Sequence, residues 1–247
     1  MAGGKARLIR EAGLGGDGPL DVGQFAGELY GSQFNRVVYH ESHDEAGNAG
    51  GTARTMVVAV NGAPLWNATR GSAEARGRVA FGLSLLSAGT PMFFMGEEVG
   101  AAEPYRFNDF MSHREDIAAL RAGTGAAMFQ FYQELIRFNR HHPAARGHHI
   151  DVVHVHGDNR LIAFTRVLGT DRLFVVASLR NEPFLDGYVI QTDPSRLPGG
   201  LWRESFNSDA AVYGGRNVGN FGSDVAAGGG RIEVRVPANG FLVFQNI

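Results

Sequence analysis

The run Thr90-Pro91-Met92-Phe93-Phe94-Met95 constrains the fold of this chain most. It is apolar without alternation and breaks off into charge at Gly96-Glu97-Glu98. Apolarity on both faces predicts a strand covered on both sides, as in a parallel sheet. Parallel strands need crossover helices, and the neighbouring sequence supplies them. Arg36–Ser42 reads as an earlier strand. Ser72 then caps a predicted helix to about Ser87, with Glu74 in its first turn, where it suits the helix dipole. Val79, Leu83 and Leu86 recur at helical spacing, and Ala88-Gly89 ends the pattern. A second helix is predicted over about Ala126–His142. Its stripe is Met128, Phe131, Tyr132, Leu135 and Ile136, and Pro143 stops it. The order strand, helix, strand, helix is α/β organisation, in which the C-terminal strand ends carry function.

The rest of the N-terminal half is loop-rich. Residues 1–22 are Gly-rich and weakly patterned, with Asp21 placed to cap a short helix through Leu29. Asn48–Gly71 reads as a polar loop with an Asn61-Gly62 turn. The chain has 35 glycines, about twice the ordinary frequency, consistent with many tight turns.

After about residue 147 the pattern changes. Short β-rich runs appear at Val152–His156, Leu161–Val167, Leu173–Leu179, Tyr188–Gln191, Leu201–Phe206, Ile232–Val236 and Phe241–Gln245. Turns such as Gly157-Asp158-Asn159 separate them, and no helix is needed. The expected organisation is an α/β unit over residues 1–147 and an antiparallel β-sandwich over 148–247.

Composition narrows the function classes. The 247 residues are 44% hydrophobic and 19% charged, the profile of an ordinary globule. A net charge of −2 with interspersed signs gives no electrostatic case for nucleic acid or an anionic membrane. The chain has no cysteine, which excludes disulfides and thiolate metal sites. No apolar run approaches the roughly 18 residues of a membrane span, and residues 1–5 lack a signal core. A cytoplasmic location is expected.

Polar residues concentrate after both predicted strands. Tyr39-His40-Glu41-Ser42-His43-Asp44-Glu45-Ala46-Gly47-Asn48 comes after the first. Such density is costly to bury unless the groups bond each other or a ligand. If the segment is extended, alternation sets His40, Ser42 and Asp44 on one face and Glu41 and His43 on the other. The two histidines then diverge, and no helical His-Glu-x-x-His pattern gathers them. Neither a metal nor a cofactor is expected. Sugar chemistry, by contrast, uses carboxylates around an oxocarbenium-like transition state. Asp44, beside His43 at a strand end, suits hydrogen bonds to sugar hydroxyls. A polar rim that only solvates loop ends is the plainer alternative. Gly214-Gly215-Arg216-Asn217-Val218-Gly219 has the glycine content of a phosphate loop but no strand-to-helix context, and reads as a turn.

Three segments together carry a resemblance. Glu41–Asn48, Gly89–Glu98 and the pair Trp202–Ala210 and Val212–Asn220 are similar, in order and separation, to glycoside hydrolase family 13, the α-amylase superfamily. The first two resemble that family's seventh and eighth barrel strands with their polar C-terminal ends. The third resembles the C-terminal all-β domain of 1,4-α-glucan branching enzymes. The resemblance implies the end of a (β/α)8 TIM barrel and then a β domain, with an α-glucan (glycogen, starch or a maltooligosaccharide) as ligand. By position, Asp44 matches the carboxylate that stabilises the transition state, and His43 the neighbouring sugar-binding histidine. Glu97 and Glu98 match carboxylates that frame the substrate site. Trp66, Tyr105 and Phe107 are candidate glucose-stacking platforms, or equally loop packing.

The departure from the family bears on activity. Its nucleophile is an Asp in a Gly-x-Arg-x-Asp context, and its acid/base a Glu, both well upstream of the Asp44 position. The residues before Asp44 contain neither motif. The chain is therefore expected to be the C-terminal part of a branching-type enzyme, inactive alone. Its open barrel edge would be met by the missing N-terminal barrel part or by self-association. A non-catalytic carbohydrate-binding remnant and an α-amylase-like hydrolase or trehalose-forming relative are the alternatives.

Overall fold

The computed structural model describes residues 9–13, 16–33 and 35–247. Part of the Gly-rich start, residues 1–8 and 14–15, lies outside these. Asp21 accepts the Gln24 N–H at 3.2 Å and caps the Val22–Gly31 helix, which runs past the predicted Leu29.

Two short strands then pair in parallel: β1 (Val37–Val38) and β2 (Thr90–Pro91), in the register Val37 to Thr90 and Val38 to Pro91. Thr90 N–H donates to Arg36 O at 2.8 Å, and Met92 N–H donates to Val38 O at 3.0 Å. Gly89 makes this approach possible, because a Cβ there would lie 2.4 Å from Arg36 O. The strands are far shorter than the predicted Arg36–Ser42 and Thr90–Met95. Nor is the apolar run covered on both faces, for Met92, Phe93 and Met95 are 36%, 40% and 52% exposed. Among the described residues β1 and β2 have only each other as ladder partners, and two strands cannot bury both faces of such a run.

The Asn67–Leu85 helix crosses from β1 to β2. It starts before the predicted Ser72, which lies inside it and caps nothing. The extra turn carries an Arg70–Glu74 ion pair at 2.8 Å. The expected Asn48–Gly71 loop also contains a short helix, Thr55–Val58. The Ala126–His141 helix buries Met128, Phe131, Tyr132 and Leu135, the stripe read from the sequence. Pro143 ends it and opens the next, Pro143–Arg146, because a first helical residue needs no N–H.

Eight antiparallel strands complete the chain: β3 (Ile150–His156), β4 (Leu161–Leu168), β5 (Asp171–Ser178), β6 (Phe184–Gln191), β7 (Gly200–Asn207), β8 (Asp224–Gly228), β9 (Arg231–Val236) and β10 (Gly240–Asn246). They form one sheet in the order β3-β4-β5-β10-β7-β8-β9-β6, not the two sheets of the expected sandwich. β10 bridges β5 and β7, with a bulge at Val243/Phe244 that bends the sheet. The sheet curls until its edges meet. His154 of β3 lies 3.0 Å from the Tyr188 hydroxyl of β6. The result is a barrel-like all-β domain filled by Phe174, Trp202, Ile232, Val234, Leu242 and Phe244.

The outer face of the same sheet is buried too. Phe164, Val175, Phe241 and Val243 share one apolar cluster with Phe81, Phe131 and Leu135 of the helices. β4, β5 and β10 are consequently buried on both faces, which explains their unbroken apolar sequences. The contact is closest at Gly82, where a Cβ would lie 2.2 Å from the Phe241 ring.

Candidate functional site

The polar segment after β1 does not stay extended. It turns at Asp44–Asn48, where Gly47 takes φ 132° and a Cβ would meet Pro104 at 2.7 Å. The alternation expected of a strand is therefore replaced. His40, Glu41 and Ser42 are all buried, while the side chains of His43 and Asp44 are 51% and 62% exposed. The segment divides into a buried half and a solvent-facing half.

The buried half ties the two strand ends together. His40 Nε2 lies 2.9 Å from Glu97 Oε2. The Tyr132 hydroxyl donates to the same oxygen at 3.2 Å, and Phe94 N–H donates to Glu97 Oε1 at 2.7 Å. Glu41 accepts Thr55 N–H at 2.5 Å and pairs with Arg54 Nε at 3.2 Å. Arg54 Nη2 in turn donates to Met95 O at 3.0 Å. Burial pushes the Glu41 carboxyl above its ordinary range, against the pull of Arg54. Burial also raises the Tyr132 phenol, and Glu97 adds to the effect.

The exposed half is held by its backbone. Asn48 Nδ2 donates to His43 O at 2.6 Å, and Asn48 Oδ1 accepts Phe107 N–H at 2.8 Å. Thr52 Oγ1 donates to Asp44 O at 2.9 Å. These bonds bring together His43, Asp44 and Phe107. His43 Nε2 is 3.5 Å from Asp44 Oδ1, and its ring centroid is 5.4 Å from that of Phe107. A carboxylate, an imidazole and an exposed aromatic ring can accept, donate and stack, which is the chemistry of a hydroxylated ring ligand. The nearby carboxylates are occupied: Glu45 accepts from Ser42 Oγ, and Glu97 is buried with His40.

The other predicted residues separate by place. Glu97, expected to frame the substrate site, faces inward with its side chain 2% exposed and is bonded to His40, Tyr132 and Phe94 N–H. Glu98 is half-buried and accepts Gly96 N–H at 2.7 Å. Tyr105 is half-buried among Phe94, Phe107 and Phe110, with centroids 5.1, 5.6 and 5.7 Å away. It and Phe110 also wall a cavity of about 300 Å3, with Arg54, His113 and Glu115 around it. Trp66 stands 68% exposed ahead of the Asn67–Leu85 helix, and no ring contact among the described residues joins it to Phe107. Arg54 and Tyr132 carry no site signal in the sequence. Arg54 sits in a loop-like stretch, and Tyr132 is one more apolar-stripe position on its helix. Among the described residues no three His, Asp or Glu side chains gather as a metal site.

Comparison with known proteins defines the class. Residues 152–247 match the family described as alpha amylase, C-terminal all-beta domain. With the relatives that follow, this match supports a likeness of the chain to a C-terminal portion of glycoside hydrolase family 13. It is 30% identical over 164 residues to a 1,4-alpha-glucan branching enzyme of Xanthomonas euvesicatoria pv. vesicatoria, a match covering 60% of this chain and 20% of that protein. It is 37% identical over 89 residues to a malto-oligosyltrehalose trehalohydrolase of Saccharolobus solfataricus, covering 36% and 13% respectively. The chain thus spans at most about a fifth of these relatives. Its fold resembles an alpha-amylase from H. orenii, with a TM-score of 0.63 at 15% identity over 98% of this chain and 48% of that one. It also resembles a debranching enzyme from Nostoc punctiforme, with a TM-score of 0.60 at 19% identity over 91% and 40%. Among the described residues no helix is long and apolar enough to cross a membrane.

Proposed function

We propose that this chain is the C-terminal part of a 1,4-α-glucan branching-type enzyme and presents the glucose-gripping edge of its site. The observation that carries the reading is the solvent-facing His43–Asp44 pair, set just past β1 beside the parallel β2. The branching-enzyme match over 164 residues supports it. In this reading β1 and β2 are the last two strands of a TIM barrel whose C-terminal segment is residues 1–147, and residues 148–247 are the appended β domain.

Asp44 would accept hydrogen bonds from hydroxyls of the reacting glucose and oppose the positive charge that develops at its anomeric carbon. His43 would donate to the same ring, and Phe107 would cover its C–H face. Tyr105, whose ring lies 5.6 Å from that of Phe107, would extend the same platform. The reaction cleaves an α-1,4 bond through a covalent glycosyl carboxylate and passes the chain to a 6-hydroxyl. That route needs a carboxylate nucleophile and a carboxylic acid/base. The carboxylates beside Asp44 are bound to Ser42 and His40, so both groups would come from a barrel segment outside this chain. The exposed Val37, Met92, Phe93 and Met95 are the surface such a segment would cover.

The test pairs the chain with amylose. Alone, the purified chain is expected to leave iodine-stained amylose unchanged and form no α-1,6 linkages. Coexpressed with the N-terminal barrel portion of a branching enzyme, it is expected to form them, and Asp44→Ala to abolish this. Turnover by the chain alone would overturn the reading. The trehalohydrolase match supports a second reading, hydrolysis, and release of trehalose by the paired protein would favour it.

A further inference from the structure

The Asn67–Leu85 helix and the Asp209–Val218 loop border a cavity of about 250 Å3. None of its lining residues belongs to the His43–Asp44 cluster. Small residues on one helix face, Gly71, Ser72 and Ala75, leave the space open, and a Cβ on Gly71 would meet nothing within 4 Å. The opposing loop is fixed by its own bonds. Asn217 N–H donates to Asp209 O at 2.7 Å, and Val218 N–H donates to Asp209 Oδ2 at 3.0 Å. Gly215 is pressed so close that a Cβ would lie 2.1 Å from Asp209 O. The space equals roughly eight waters at about 30 Å3 each, enough for a small ligand.

The polar groups around it are out of balance. Arg78 is 3% exposed; its Nη1 donates to Tyr213 O at 2.9 Å, and its Nε–H has no acceptor. Burial lowers its pKa, which Glu74 and Asp209 partly restore. At the far side, acceptors are already engaged. Asn181 Oδ1 takes Arg76 Nη2 at 2.7 Å and Asn239 Nδ2 at 3.0 Å, and Asn239 Oδ1 takes Arg76 Nε at 3.2 Å. Glu74 is paired with Arg70 at 2.8 Å and does not line the cavity, so what remains is the Arg78 guanidinium and the exposed Arg216 against Asp209, which already holds Val218 N–H. The lining is left with one positive charge unanswered. Guanidinium groups meet oxyanions with paired, charge-assisted bonds. A neutral polyol would supply hydroxyls but leave the charge.

We propose that this cavity binds a small oxyanion, a phosphate group either free or carried on a sugar, between Arg78 and Arg216. Isothermal titration of the whole chain with inorganic phosphate, glucose 6-phosphate and glucose tests it. Saturable binding of at least one phosphate-bearing probe, with none of glucose, is expected. Arg216→Gln should weaken that binding by about tenfold, the worth of one charge-assisted bond. Ala75→Leu should remove it by filling the floor, with an unchanged circular dichroism spectrum. Tighter binding of glucose 6-phosphate would assign the phosphate to a sugar, and tighter binding of inorganic phosphate to the free ion. No saturable binding of either, binding of glucose as tight as glucose 6-phosphate, or unchanged affinity in either folded variant would overturn the proposal.

Discussion

His40 Nε2 meets Glu97 Oε2 at 2.9 Å with both side chains 2% exposed, so the segments that follow two parallel strands are joined inside the fold. Removing the carboxylate would strand three donors at once: the imidazole, the Tyr132 hydroxyl and the Phe94 N–H. Glu97→Ala is expected to cost about 3 kcal/mol in urea denaturation, the scale of a broken buried pair. Glu98→Ala, which loses one partly exposed bond, should cost under about 1 kcal/mol. Equal losses in the two variants would show that the buried join is unimportant.

Asp44 predicts the opposite combination. Its side chain is 62% exposed and no packing rests on it. Asp44→Ala should therefore change stability by no more than about 0.5 kcal/mol. Branch formation in the paired protein should nonetheless disappear. A large loss in thermal stability would instead mark Asp44 as a structural residue.

The Val22–Gly31 helix is clamped to β3 through Asp151. Arg196 donates to it from Nη2 at 2.5 Å and from Nε at 2.8 Å, and the Tyr30 hydroxyl donates at 3.1 Å. The Arg196 bonds hold this carboxyl below its ordinary 3.8. A depressed carboxyl contributes stability above its unfolded pKa and loses it as pH falls through the folded one. The melting temperature of Asp151→Asn should therefore lie below that of the native chain at pH 6, and the gap should close below about pH 4. Both side chains are partly exposed, so added salt should narrow the gap as well. A gap constant with pH would refute the assignment.

Gly82 and Phe241 decide a contest between two effects. Alanine at Gly82 gains about 1 kcal/mol of helix propensity. Its Cβ, however, would lie 2.2 Å from a ring that is fully buried and stacked on Phe206 at 5.9 Å. Overpacking of about 1–3 kcal/mol should prevail. Gly82→Ala is expected to lower stability by up to about 2 kcal/mol in chemical denaturation. A stabilised variant would show that the ring moves aside freely.

The elements with regular apolar spacing were legible. The Ala126–His141 helix declared its buried stripe, and seven of the β runs fell on observed strands. β8 did not, because Asp-Val-Ala-Ala-Gly has little strand preference, and its pairing with β7 and β9 holds it in place. The start of the Asn67–Leu85 helix was hidden by Ser72, a good cap that caps nothing. Within the site, His43 and Asp44 were legible as a polar pair, but the inward turn of Glu97 was not. Its partner His40 lies over fifty residues earlier, and sequence spacing carries no record of such a contact. Arg54 escaped notice for the same reason, since its carboxylate belongs to another segment.

The β1–β2 ladder also has a direction of growth. Thr90 and Met92 point their N–H groups at β1, so the nitrogen between them, that of Pro91, points to the outer edge and carries no hydrogen. A strand arriving there finds a donor missing. On the other side, Arg36 and Val38 turn their carbonyls to β2, which leaves Val37 to offer its peptide groups outward. Val37 is also half exposed. An incoming strand is accepted more readily beside β1 than beside β2, and a proline sets the order in which the sheet can be extended.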